Sequence, residues 1–438
     1  MENEVLEKEK ATNEITIETA ENKILKNKKR KNIELYKKYK VFSYDLLFYY
    51  AIIYLFLTIE KGISAAEVLQ FDAFYVLFKS ILQIPSTILI EKIGKRKSLI
   101  IANFVNVVHI LIIILAPNFK WLLVSQFLCA FGFIIKATCE TDMLYDSIEH
   151  GEKRGSIFAK IDGKANARHY YIEAISSVIS GFLFIINPYI PMILCLLILI
   201  FSAVMSVKFE DIQGKLKKTR ISDNLRELRY SFRNIIKSKR LVSLLLFNAL
   251  MIGMIKILQN LRNTVLLEVE MPEQYFGIIF AIMGIIAGIS ARNQERIHKK
   301  FRNKTLTFLA LPMAFSCLFM GVVLMLNMKF EINVSIILVL FAIQYIMKGP
   351  YYVLIKRYLN NFTNSEKRVK IATVNNLIEN LIASILIFGA SSILDILPIN
   401  ITLLIIGCVG IMLFVLLLDK MRSTVGLKME DYGKREIL

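Results

Sequence analysis

The chain has 438 residues, a net charge of +19 and a mean hydropathy of +0.52, and 55% of its residues are hydrophobic. Twelve helices of ~20 residues, the length that crosses a bilayer, would use about 240 residues and leave room only for short loops and tails. This composition excludes a sizeable soluble domain. The positive charge does not require a nucleic acid partner, because basic loops beside anionic lipid headgroups account for it.

Twelve apolar spans follow one another along the chain, in two sets of six. Each is long enough to cross the hydrocarbon core of a membrane as a helix. The first set lies at 43–59, 66–90, 98–116, 119–147, 156–186 and 191–208, and the second at 239–266, 274–291, 305–326, 333–356, 369–393 and 399–418.

The segments outside these spans are polar. Residues 1–40 carry no signal peptide and are predicted to form a basic cytoplasmic tail along the anionic headgroups. Segment 209–238 is predicted to be a cytoplasmic linker, and residues 420–438 a cytoplasmic tail. The predicted domains are therefore two six-helix bundles, at 41–208 and 239–419.

The 55 Lys and Arg residues concentrate on alternate loops. One side of the predicted topology holds the tails, the linker and the other basic loops, whereas the other side holds only Lys61, Lys120 and Lys329. Because positive charge resists translocation, the basic side is predicted to be cytoplasmic. The sequence thus predicts a multi-pass protein of the cytoplasmic membrane with both termini in the cytoplasm.

The two sets of spans resemble each other. EKIGKRKSL at 91–99 follows the second span, and ERIHKKFRNKTL at 295–306 follows the eighth. IEAISSVISGF from Ile172 and IENLIASILIF from Ile378 lie in the fifth and eleventh spans at nearly the same offset. Since both halves start inside and contain six crossings, they are predicted to be parallel repeats related by an axis along the membrane normal.

Residues 83–97, QIPSTILIEKIGKRK, resemble the signature that joins the second and third helices of the major facilitator superfamily. Pro85, Gly94 and the basic run 95–97 match it, and Glu91 stands where the family has Asp. Two positions depart from the signature, namely Gln83 and Thr87.

The resemblance implies an all-α membrane protein with twelve transmembrane helices in two pseudo-symmetric six-helix bundles around a midplane cavity. It also implies secondary active transport of a small solute by alternating access. Residues 141–154, TDMLYDSIEHGEKR, are similar to bacterial exporter-like members and favour efflux. The alternatives are an uptake symporter for an anionic solute and, from a different class, a membrane-embedded receptor or scaffold.

Charged side chains inside a bilayer are costly, so each is a candidate functional residue. Lysines occur on spans four, seven and ten, which belong to the cavity-lining helices of the resembled family. Each lies on a polar stripe that could instead supply hydrogen bonds between helices, and the first has Glu140 at i+4 for mutual neutralisation. The predicted substrate- or ion-binding residues of these spans are Lys136, Lys256, Gln259, Asn260, Gln344 and Lys348.

Acidic residues occupy corresponding positions in the two halves. Glu173 and Glu379 lie near the middle of the fifth and eleventh spans, and Asn376 belongs to the polar face around Glu379. Each carboxyl is predicted either to carry a coupling proton or to be a fixed counter-ion to a lysine. Lys79, seven residues after Asp72 on the second span, completes the predicted binding residues.

The loop after the second span forms salt bridges in the resembled family that close the cytoplasmic side, and this implies a gate here. Two acids at the inner end of the fourth span require basic partners, for which Arg154, Lys160 and Arg168 are the candidates. The predicted gating residues are Glu91, Gly94, Lys95, Arg96, Asp142 and Asp146.

No HExxH, GxSxG, GxxxxGK[ST] or paired CxxC motif occurs, so the sequence predicts neither an enzyme nor an ATP-driven pump. The five cysteines lie in apolar spans without ligand spacing, and neither a metal nor a cofactor is expected. The expected partners are a small-molecule substrate, a coupling ion (a proton or sodium) and anionic lipid headgroups. The protein is expected to be a monomer.

Overall fold

The computed structural model describes residues 2–149, 151, 154–212, 233, 239–326, 328–361 and 368–424. In these residues the chain forms fourteen α-helices and no strand. The helices are α1 (Glu2–Ser43), α2 (Ile53–Leu55), α3 (Ala65–Ile93), α4 (Lys95–Leu115), α5 (Phe119–Ser147), α6 (Arg154–Ile186), α7 (Tyr189–Val207), α8 (Lys239–Glu268), α9 (Gln274–Arg292), α10 (Gln294–Phe301), α11 (Thr305–Met325), α12 (Phe330–Asn361), α13 (Arg368–Ile396) and α14 (Ile399–Thr424).

Eleven of these helices, α3 to α9 and α11 to α14, are long and apolar enough to cross a membrane. They correspond to predicted spans two to twelve. Apolar runs of this length fold as helices because hydrocarbon offers no partner to a backbone N–H or C=O group, and a helix satisfies those groups within the segment. The predicted all-helical membrane fold is confirmed.

The ends of α3 illustrate how local sequence sets the boundaries. Ser64 accepts a hydrogen bond from the Glu67 N–H at 3.1 Å, and the Glu67 carboxylate accepts one from the Ser64 N–H at 2.8 Å. This capping box satisfies two backbone donors that the first turn leaves free. At the other end, Gly94 has φ +86°, a conformation that favours glycine, and it turns the chain into α4.

The first predicted span, 43–59, is not a continuous helix. Helix α1 ends at Ser43, residues 44–52 form bends and turns, and α2 is followed by a single π-helical turn at Phe56–Glu60. Phe48 within the break has φ +61°, which is uncommon for a residue with a side chain. The apolar composition of this segment indicated its burial but did not reveal that the helix is broken.

The end of the predicted N-terminal tail belongs to the first bundle. Asn32, Tyr36, Lys40 and Ser43 recur at helical spacing and are all buried, because α1 packs against α5, α6 and α7. The expected boundary at residue 41 therefore falls inside a packed helix. Most of the predicted linker at 209–238 lies outside the described residues, as does the C-terminal tail from residue 425 onward.

The two halves meet along two helix pairs. Helix α3 packs against α13, and α6 packs against α9. These pairs join the second predicted span to the eleventh and the fifth to the eighth. Because the second span corresponds to the eighth and the fifth to the eleventh, the pseudo-symmetry of the halves converts one pair into the other. The interface between the halves is therefore formed by equivalent helices of each.

Glycines allow α6 and α9 to approach closely. A Cβ atom on Gly277 would overlap the carbonyl oxygen of Ser177, and one on Gly181 would lie 2.7 Å from the carbonyl oxygen of Gln274. Small residues permit such backbone contacts between membrane helices. This contact brings the two halves together near the start of α9.

We expect Gly277→Ala to destabilise the protein by about 1–3 kcal/mol, because the added methyl group forces two packed backbones apart. The melting temperature of the purified protein in detergent measures the effect. Gly284→Ala on the same helix is the matched control, since a Cβ there meets nothing within 4 Å. Equal melting temperatures for the two variants would contradict the proposed close contact.

Candidate functional site

The described residues form a central cavity and a basic-side cavity between the halves. We call the end of the molecule that carries the α3–α4 and α5–α6 connections the basic face, and the other end the opposite face. The central cavity has a volume of about 250 Å³. The basic-side cavity has a volume of about 480 Å³.

The central cavity takes its charged and amide groups from both halves. Asp72 comes from α3 in the first half, whereas Lys256 and Arg262 come from α8 in the second. The Asn260 amide lies near the Asp72 carboxyl in the lining of this cavity. Arg262 donates to the hydroxyl of Tyr345 at 2.6 Å. The polar lining residues of the cavity also include Gln259 and Asn263.

Tyrosines form much of the remaining wall. Tyr49, Tyr50 and Tyr54 come from the broken first span, and Tyr75 faces them from α3. The broken first span thus presents a run of aromatic groups to the space between the halves.

The basic-side cavity is lined by α3, α5 and α13. Lys79 lies with its ammonium 5.4 Å from the centre of the Tyr75 ring, so the two cavities are adjacent along α3. Glu379 accepts a hydrogen bond from Asn248 at 2.9 Å and a longer one from Asn375 at 3.4 Å. Asn376 is exposed on the same wall.

The two faces of the molecule differ. The basic-side cavity extends to Asp142, which lies 3.4 Å from Lys95 at the basic face. At the opposite face the halves touch: Ser391 donates to the carbonyl of Ala66 at 2.8 Å, and Thr264 donates to the hydroxyl of Tyr54 at 2.8 Å. The space between the halves is thus open toward the basic face and closed toward the other.

Six of the ten predicted binding residues line these cavities. The structure brings Lys256, Gln259 and Asn260 together in the central cavity. Lys79, Asn376 and Glu379 line the basic-side cavity.

Two further predicted residues lie on helices of opposite halves. The Lys348 ammonium lies 4.9 Å from the centre of the Tyr345 ring, which adjoins the central cavity through Arg262. Glu173 of α6 lies close enough to Lys348 of α12 for their charges to interact. Gln344 instead makes its contact inside the second half, to the sulfur of Met320 at 3.7 Å.

Lys136 lies outside both cavities, so its expected contact with substrate is not supported. Its ammonium donates to the carbonyl of Ser43 at the end of α1 and lies 4.0 Å from the centre of the Phe133 ring. The expected partner Glu140 forms an ion pair with Lys40 and accepts a hydrogen bond from the Ser43 hydroxyl at 3.0 Å. These contacts hold the end of α1 against α5.

The predicted gating charges pair within the first half. Lys95 lies 2.6 Å from Asp146 and 3.4 Å from Asp142. Arg154, one of three candidate partners, lies 3.9 Å from Asp146. Arg96 donates to the carbonyls at the end of α7, at 2.5 Å to Phe209 and 3.0 Å to Val207. A gating role for this cluster, and for the nearby Glu91, stays a prediction.

Outside the membrane spans, the same face carries the pair Lys31–Glu210, whose atoms lie 2.5 Å apart. The hydrogen bond and charge of Lys31 lower the pKa of the Glu210 carboxyl. Because a lowered carboxyl pKa favours the folded state above the ordinary pKa of glutamate, this support is lost as the pH falls through the lowered value.

The sequence did not single out three groups that shape the central cavity. Arg262 is absent from the predicted binding residues, although it lies one turn after Gln259 within the seventh predicted span. The tyrosines of the segment YDLLFYYAIIY at 44–54 could have indicated a site here, because few apolar spans carry so many tyrosines. Asp45 in the same segment accepts hydrogen bonds from the Leu46 N–H at 2.9 Å and the Tyr50 hydroxyl at 2.5 Å.

We expect Lys40→Met to lower the stability of the protein by about 3–5 kcal/mol, because it leaves the Glu140 carboxylate buried without its ion-pair partner. Lys37→Met is the matched control on the same helix. Its partner Glu34 lies 2.6 Å away, but both side chains of that pair are far more exposed than those of Lys40 and Glu140. Thermal unfolding of the two purified variants provides the comparison, and similar melting temperatures would argue against a structural role for the buried pair.

The fold has clear relatives among solved structures. The nucleoside transporter NupG has a TM-score of 0.69 at 8% identity, with 91% of this chain and 99% of that chain covered. A POT family transporter in complex with 5-aminolevulinic acid has a TM-score of 0.66 at 13% identity, covering 90% and 96%. A bacterial homolog of the human lysosomal transporter Spinster has a TM-score of 0.56 at 12% identity, covering 94% and 96%. At these identities the likeness establishes the fold alone.

The sequence itself also matches a family. No curated protein matches it. The family model of the Major Facilitator Superfamily, however, matches residues 41–328, which is more than half of the chain. The resemblance that the loop at 83–97 predicted is confirmed, and the chain belongs to the Major Facilitator Superfamily.

Proposed function

We propose that the protein moves a small solute across the cytoplasmic membrane by alternating access, as a secondary active transporter. Membership of a transporter family and the fold of a nucleoside transporter support transport in general. The observation that carries the mechanism is the difference between the two faces: Ser391 and Thr264 join the halves at the opposite face, whereas the basic-side cavity reaches Asp142. In this proposal the halves rock about the central cavity and expose it to each face in turn.

In the same proposal the basic face is cytoplasmic, because positively charged loops remain on that side. Efflux is the proposed direction, on the similarity of residues 83–97 and 141–154 to exporter-like sequences. The second candidate is uptake of an anionic solute, which the two cations Lys256 and Arg262 in the central cavity favour. The direction of solute movement in inside-out vesicles distinguishes them.

We assign the coupling proton to Glu379 rather than to Glu173. Glu379 lines the open cavity, and its hydrogen-bond partners Asn248 and Asn375 are amides. An amide N–H can donate to a carboxylate, and an amide oxygen can accept from a protonated carboxyl, so these partners suit both protonation states. Glu173 has the charge of Lys348 nearby and is assigned as its counter-ion.

Alternating access has a direct test in cysteine labelling. Of the five cysteines only Cys408 is exposed, so Cys408→Ser provides the background. Asn263→Cys places a thiol in the lining of the central cavity. In proteoliposomes of known orientation, we expect a membrane-impermeant maleimide to label this thiol from either face, because the cavity opens to both in turn.

A cross-link between the halves should then stop maleimide labelling from one of the two faces. Joining Ala66→Cys to Ser391→Cys with a bifunctional thiol reagent holds the opposite face closed, and we expect labelling of residue 263 to persist only from the basic face. The control pair Ser290→Cys and Ile346→Cys makes a similar contact, at 2.6 Å, inside the second half, and its cross-link should leave both reactions intact. Labelling from the basic face alone without any cross-link would indicate a static receptor or scaffold.

A further inference from the structure

The central cavity holds opposite charges on opposite halves of the protein. Asp72 projects from α3, and Lys256 projects from α8. Their charges lie near enough to interact, yet no acidic side chain in the described part of the chain comes within ion-pair distance of Lys256. The two charges therefore stand apart across the cavity rather than cancelling in a direct pair.

This separation is costly in a membrane interior. A charge away from water is stabilised only by a partner at contact distance and by hydrogen bonds. Asp72 has the neutral amide of Asn260 nearby, whereas Lys256 has the like charge of Lys79 nearby and the opposite charges of Glu379 and Asp72 only beyond ion-pair distance. Each group therefore gains from a ligand of opposite charge, an anionic group for Lys256 and a cationic group for Asp72.

The remaining lining fits a compact organic body. Tyr49, Tyr50, Tyr54 and Tyr75 supply aromatic faces, and such faces attract an ammonium group as well as apolar surface. The volume of about 250 Å³ is slightly below the roughly 300–1,000 Å³ of sites for drug-sized ligands. The cavity therefore suits a small metabolite and is too small for a long peptide.

We propose that the central cavity binds a small zwitterion of the amino-acid class. Its carboxylate pairs with Lys256, its ammonium pairs with Asp72, and its side chain lies against the tyrosines. Because the two charges belong to opposite halves, such a ligand connects the halves through its own charges. The proposal rests on the transport function proposed above and names the class of its substrate.

The test compares each ligand with its singly charged analogues. The purified protein is titrated in a thermal-shift assay with the twenty standard L-amino acids, each beside its decarboxylated amine and its deaminated acid. For tyrosine these probes are tyramine and 3-(4-hydroxyphenyl)propionate. We expect at least one amino acid to bind roughly tenfold or more tightly than both of its analogues, because each analogue leaves one buried charge unpaired.

Variants that each remove one charge then test whether Asp72 contacts the ammonium and Lys256 the carboxylate of the ligand. Asp72→Asn should remove the preference for the amino acid over its deaminated acid, and Lys256→Gln should remove its preference over the amine. Asp395→Asn and Lys120→Gln make the same charge changes at exposed positions and should leave both preferences unchanged.

Two results would overturn the proposal. One is that no amino acid exceeds both analogues in the unmodified protein, a measurement that does not depend on any variant folding. The other is that both preferences survive in Asp72→Asn and Lys256→Gln. If residue 263 is nevertheless labelled from both faces, the transport proposal stands and only the substrate class is wrong.

Discussion

Every polar group inside a bilayer must find its partner within the protein, and this constraint governs the broken first span. Where α1 ends, the helix no longer satisfies its last carbonyls. His169 hydrogen-bonds the carbonyl of Val41 at 2.8 Å, and Lys136 donates to that of Ser43. The Glu140 carboxylate forms an ion pair with Lys40 beside these two contacts. A set of buried polar side chains from α5 and α6 thereby makes an irregular backbone possible at membrane depth.

The segment that follows the end of α1 lines the site, since Tyr49, Tyr50 and Tyr54 all contribute to the wall of the central cavity. The buried cations on one side of the break and the aromatic wall on the other are therefore parts of one arrangement, in which Lys136 supports the site without lining it.

The contacts between the halves explain why the cavities are open toward one face. Near the opposite face, glycine brings α6 and α9 into backbone contact, and Ser391 reaches the Ala66 carbonyl. Toward the basic face the lining consists of polar groups such as Thr141 and Asn376, which remain solvated. The ion pairs of Lys95 with Asp142 and Asp146 join α4 to α5 within the first half.

The sequence by itself determined the eleven long helices, their order and the family. A segment that crosses the hydrocarbon core must be apolar along its length, and charged loops separate each such segment from the next. It also identified Lys256 and Glu379, since a charge within an apolar span is rare whatever its surroundings. Only the tertiary structure decided that Lys136 faces a backbone carbonyl, whereas Lys256 faces a cavity. From the sequence alone, burying either lysine in a membrane span costs the same free energy. The group that offsets this cost for Lys136 is the Ser43 carbonyl, which comes from a helix distant along the chain.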